Sequence, residues 1–67
     1  MRNTIRVERA RHQITQAQLA EKVKVSRQTI HAIETGKFVP STILALKISD
    51  FFKIKLEEVF KLEEEEE

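Results

Sequence analysis

Cysteine is absent from the 67-residue chain, which excludes disulfides and every thiolate metal site. Glycine and proline occur once each, Gly36 and Pro40, both within the segment TGKFVPS. That cluster marks the one obvious long connection in an otherwise unpunctuated chain. No apolar run approaches the roughly 18 residues of a membrane span, and the stretch MRNTIRVERAR lacks the apolar centre of a signal peptide. A cytoplasmic protein without membrane association is therefore expected. The two histidines, His12 and His31, stand far apart with no carboxylates at matched spacing. With no cysteine nucleophile and no glycine-rich phosphate loop either, the sequence argues against an enzyme and against a metal, a cofactor or a small-molecule ligand. A chain this short forms one domain and buries only about 60% of the surface its unfolded form exposes. Lacking disulfides and metals, it is expected to gain support by self-association.

Charge is present in both signs but unevenly placed. Residues 1–37 carry eight Lys/Arg against three Asp/Glu, and residues 38–67 carry four against eight, so a net charge of +1 conceals halves of +5 and −4. A polyanion would be attracted by the first part and repelled by the second. The plainer account is a charge distribution that serves solubility. Glu63–Glu67 is a low-complexity, self-repelling run, expected to be a disordered tail after a domain spanning residues 1–62. The tail could compete with phosphate for the basic face, or simply solubilise the chain end.

Apolar spacing and capping signals predict five short helices. Asn3 or Thr4 can open the first, which runs to about His12 with Ile5 and Val7 as its apolar contacts. Thr15 and Gln18 form a capping box for the second. Ser26 suits the N-cap of the third, and Gly36 stands just beyond its end. Ser41 caps a fourth, on which Ile43, Leu44, Leu46, Ile48, Phe51 and Phe52 recur at helical spacing. Leu56–Phe60 can form a fifth. The fold class is thus all-α and compact. Alternation in Phe60-Lys61-Leu62-Glu63 is a weak strand signal, and that segment could pair with Met1–Asn3 as a short ribbon.

The segment QAQLAEKVKVSRQTIHAIETGK, residues 16–37, carries most of the functional information. Leu19, Ala20 and Val23 line one side of its first helix, and Val25, Ile30 and Ile33 the facing side of the second. Ala20 is small where the two helices cross, as a helix-turn-helix requires. Such a unit can present its second helix to the DNA major groove. Advancing about 100° per residue along that helix and setting Ile30 and Ile33 inward, Gln28 and Thr35 point outward. Ala32 and His31 flank them, and Arg27 is off-centre but lies in the first turn. Geometry nominates these five for base contact: Arg27 onto guanine, Gln28 onto adenine and Ala32 against a thymine methyl. An ordinary solvated helix face is the bland alternative.

The pattern ITQAQLAEKVKVSRQTIHAIETGK resembles the Cro/phage-repressor (Xre-like) helix-turn-helix family, and the resemblance runs from Ile5 to Phe60. With ALKISDFFKIKLEEVF as the last two helices, it is similar to the compact, stand-alone cytolysin-repressor-like regulators. The resemblance implies a homodimer that binds double-stranded DNA at a partly palindromic operator and regulates transcription, most naturally as a repressor. By family position Arg27, Gln28 and Ala32 match the principal base-contacting sites. Gln16 and Ser26, at the starts of the second and third helices, match phosphate-contacting positions, where amides and the helix dipole favour an anion. Lys37 falls in the loop expected to follow the DNA backbone. Arg9 and Glu34 match a pair that bridges the first and third helices in some relatives; the alternative is two unrelated surface charges. Leu56, Val59, Phe60 and Leu62 would lie at the dimer seam, or else merely close the monomer core.

Two departures from the family stand out. Gln13 and Lys24 occupy turn positions where glycine is common, though a non-glycine residue can hold left-handed backbone at modest cost. Glu8 stands where many relatives have Leu, so the first helix should bury less apolar surface. A functional alternative of another class is a protein-interaction module, such as an antitoxin or adaptor subunit on the same scaffold.

Overall fold

The computed structural model describes residues 1–64, and among these the chain forms five α-helices and one two-stranded ribbon. In order these are β1 (Arg2–Asn3), α1 (Ile5–His12), α2 (Gln16–Val23), α3 (Arg27–Glu34), α4 (Thr42–Phe52), α5 (Leu56–Val59) and β2 (Phe60–Lys61). β1 and β2 pair antiparallel, Arg2 opposite Lys61 and Asn3 opposite Phe60, so the ribbon joins the two chain ends. Thr4 N donates to Val59 O at 2.9 Å and extends that junction into α5.

The first four helices start where a side chain satisfies amides that have no intrahelical partner, whereas α5 begins at Lys55 without a side-chain cap. Thr15 and Gln18 close a reciprocal capping box on α2, and Ser26 and Ser41 accept from Thr29 N and Leu44 N at the starts of α3 and α4. At α1 the work is divided: Thr4 occupies the cap position, but Asn3 Oδ1 accepts from Ile5 N at 3.2 Å. Asn3 Nδ2 also donates to Ile33 O at 2.8 Å, tying β1 to the end of α3.

Four helices end on one device. Gln13, Lys24, Gly36 and Lys53 all have positive φ, and the residue after each donates back five positions, to Arg9 O, Ala20 O, Ala32 O and Ser49 O. This is the Schellman arrangement. After the three non-glycine members come Ile14, Val25 and Ile54, each packed against the core. After Gly36 comes the exposed Lys37.

The core gathers Ile5, Leu19, Ala20, Val23, Ile30, Ile33, Leu44, Ala45, Ile48, Phe52, Val59 and Phe60 from all five helices and the ribbon. Two expectations need correction. Val7 is half exposed, and the neighbouring Glu8 turns inward instead, its carboxylate accepting from Arg11 Nη1 at 2.9 Å. Along α4 the buried side is Leu44, Ala45, Ile48, Ser49 and Phe52, while Ile43 and Leu46 face solvent. Ser49 is tolerated inside because its hydroxyl donates to Ala45 O at 2.8 Å. Of the residues expected at a dimer seam, Val59 and Phe60 are buried within the protomer, Leu56 is partly buried and Leu62 is exposed. Val59 and Phe60 close the protomer core because β2 pairs with β1 and Thr4 N holds Val59 O.

Of the acidic run, Glu63 is half-buried and lies 3.6 Å from the N-terminal ammonium of Met1. The expectation of disorder otherwise falls on Glu65–Glu67, outside the described residues.

Candidate nucleic-acid interface

α2 and α3 make the most extensive inter-helix packing in the molecule. Leu19 and Ala20 of α2 meet Ile30 and Ile33 of α3 with no more than 3% exposure, so α3 has one face committed to the core. The other face is polar. Arg27, Gln28, His31 and Thr35 are exposed, and Ala32 is partly exposed among them. All five sequence-nominated base contacts thus share the outer side of α3, which lies across the helix from Ile30 and Ile33. Thr35 has less to offer than its position suggests, because its hydroxyl donates to His31 O and Ala32 O at 3.0 and 3.2 Å.

The interior edge of that face is braced by charge. Arg9 grips Glu34 through two parallel bonds, Nε to Oε2 at 2.6 Å and Nη2 to Oε1 at 3.0 Å, and its Nη1 donates to Ile14 O at 3.1 Å. The Glu34 side chain is only 6% exposed and that of Arg9 16%. A carboxylate this enclosed needs such a fork, which matches guanidinium geometry to both oxygens. The two residues therefore act as a strut between α1 and α3 and not as separate surface charges.

Gln16, first residue of α2, joins the strut: its Nε2 lies 3.1 Å from Glu34 Oε1 and 3.2 Å from His31 Nδ1. Ser26 Oγ is engaged by Thr29 N at 3.1 Å and Thr29 Oγ1 at 3.0 Å. Gln16 and Ser26 open the two helices, where unpaired amides and the helix dipole favour phosphate. Lys37 is exposed just past the end of α3.

A concavity of about 350 Å³ opens between α1 and the helix-turn-helix, lined by Arg6, Arg9, Gln16, Arg27, His31, Glu34 and Thr35. Arg6 is the residue that sequence reasoning overlooked. Its signal was its place three residues before Arg9, on the same side of α1. Among the described residues, no group of three or more His, Asp or Glu could hold a metal. No helix of those residues is long and apolar enough to cross a membrane.

The helix-turn-helix family model matches residues 5–59, from the first residue of α1 to the last of α5. The chain belongs to the Cro/phage-repressor helix-turn-helix family. Relatives bear this out along the full length. An uncharacterized helix-turn-helix-type transcriptional regulator of Methanocaldococcus jannaschii is 52% identical over 66 residues, covering 98% of this chain and 100% of its own. The Bacillus subtilis regulator YgzD is 52% identical over 65 residues, 97% and 98% of the two chains. One from Archaeoglobus fulgidus is 46% identical over 66 residues, 98% and 93%. This helix-turn-helix protein thus matches these relatives over nearly their whole length.

Proposed function

We propose that this helix-turn-helix regulator is a transcriptional repressor of the cytoplasm, binding a partly palindromic operator as a homodimer with α3 in the major groove. The observation that carries the reading is the outer face of α3. It is polar, exposed, capped by Ser26 and held in register by the Arg9–Glu34 strut. Arg27 and Gln28 lie in its first turn, the end that enters the groove in helix-turn-helix complexes. Arg27, Gln28, His31, Ala32 and Thr35 form the base-reading set, and Gln16, Ser26 and Lys37 hold the phosphates. The net +5 of residues 1–37 supports phosphate affinity. The relatives named as transcriptional regulators support the regulatory role.

A homodimer doubles the reading face and matches a palindrome by symmetry. Its seam lies at the joined chain ends and comprises Leu56, Val59, Phe60 and Leu62, of which Leu62 is exposed and Leu56 partly exposed.

Selection of bound duplexes from a random pool at near-physiological salt tests the whole proposal. Two inverted half-sites with centres about one helical turn apart are expected. A folded sample that enriches no sequence would overturn it in favour of a protein-interaction module.

A further inference from the structure

Resting on the DNA-reading function proposed above, we infer that His31 reads a hydrogen-bond acceptor on the major-groove edge, guanine above all, because Gln16 holds its ring in the neutral Nε2–H tautomer. The Arg9–Glu34 strut fixes the roles of the groups around it. Arg9 engages both oxygens of Glu34, so the carboxylate is an anion that can only accept. Gln16 places an amide atom 3.1 Å from Glu34 Oε1. That atom is the nitrogen, since an amide oxygen there would oppose a carboxylate oxygen. The same nitrogen lies 3.2 Å from His31 Nδ1. Its two N–H bonds serve one neighbour each, and Nδ1 must supply a lone pair.

A neutral imidazole carries one proton, and with Nδ1 accepting, that proton sits on Nε2. His31 is exposed on the outer face of α3, so a donor with no acceptor character is what it offers there. Charged groups on the surrounding elements are Arg6 and Arg9 of α1 and Arg27 and Glu34 of α3. The Gln16 side chain, with both N–H bonds engaged, is a positioning group, and its phosphate contact falls to the backbone amide at the start of α2.

The consequence is a base preference. Guanine presents two acceptors in the major groove, thymine one, adenine an acceptor beside a donor, and cytosine only a donor. A donor-only His31 favours guanine and disfavours cytosine, by roughly tenfold for a single hydrogen bond.

Two measurements on the full chain decide the matter. Ring ¹⁵N shifts of the free protein at mildly alkaline pH should show His31 as the Nε2–H tautomer, and Gln16→Met, which keeps the volume but removes the donor, should give a mixture. Duplex selection should recover guanine at one position of each half-site; that preference should vanish in His31→Ala and weaken several-fold in Gln16→Met, with circular dichroism confirming both variants fold. An Nδ1–H pattern in the parent protein overturns the inference. So does a Gln16→Met variant that weakens all duplexes equally and leaves that position unchanged. Selection that enriches nothing overturns the DNA-reading function and the base contact with it, while the ring pattern still decides whether Gln16 sets the tautomer.

Discussion

Glu34 keeps a carboxylate at 6% side-chain exposure because Arg9 holds both of its oxygens and Gln16 a third contact. Removing one partner of an enclosed pair leaves the other charge without compensation, which is the expensive event. Arg9→Ala should therefore lower stability by about 3 kcal/mol in urea unfolding, and the double variant with Glu34→Ala should lose less than the sum of the two. Additive losses would mean the charges act independently. On the outer side of α3 the residue question is informational. Gln28→Ala should cost about 1–3 kcal/mol and relax preference at one base pair, whereas Lys37→Ala should weaken binding to every duplex and reduce the salt slope by about one. Titrations of matched and mismatched duplexes at several salt concentrations separate the two. Equal, sequence-independent losses from both would remove the division of roles.

At the scale of elements, the repeated helix ending explains where this chain needs its glycine. Left-handed backbone is unfavourable for a side-chain-bearing residue, yet Gln13, Lys24 and Lys53 adopt it with φ of 56°, 62° and 60°. Ile14, Val25 and Ile54 follow them and bury apolar surface, which offsets the conformational penalty. Lys37 follows Gly36 and is exposed, so α3 has no such anchor. Gly36, at φ +79° with open space where a Cβ would stand, should on replacement by Ala lose about 1–2 kcal/mol from backbone strain alone. Lys24→Gly should change stability by less than about 0.5 kcal/mol, because relief of strain is cancelled by greater unfolded-state freedom. Thermal unfolding followed by circular dichroism gives both signs. Stabilisation by Lys24→Gly well beyond that margin would show that relief of strain outweighs the unfolded-state term.

At the scale of the whole molecule, the proposed homodimer needs an apolar surface for a second copy to cover. Val59 and Phe60 are already enclosed in one protomer, so a seam at the chain ends relies on Leu62 and the accessible part of Leu56. Apolar side chains are also exposed elsewhere: Ile43 at 69% and Leu46 at 49%, on α4. Sedimentation equilibrium distinguishes the two. Leu62→Asp should weaken self-association by at least tenfold, about 1.4 kcal/mol, and Ile43→Asp should leave it unchanged. The reverse result would move the seam to α4. Self-association insensitive to both would place the seam elsewhere, and none in the parent protein would show that the chain acts as a monomer.

What the sequence determined by itself was chiefly local. The capping box of Thr15 and Gln18, the caps at Ser26 and Ser41, and the turn residues Gln13, Lys24 and Gly36 act through bonds spanning three to five positions. Short-range signals of that kind are complete in the chain itself. The outward side of α3 was equally legible, since Ile30 and Ile33 define the inward direction by helical phase alone. Tertiary packing decided the rest. An apolar-rich helix such as α4 has several phases that look alike in sequence, and only its neighbours selected Leu44, Ala45 and Ile48 over Ile43 and Leu46. The ribbon between residues separated by almost the whole chain drew Val59 and Phe60 into the core. The strut itself was expected from the family resemblance, but the link from Gln16 through Glu34 to His31, and the place of Arg6 beside them, depend on three helices meeting at one point. Periodicity within any one of those helices carries no information about such a junction.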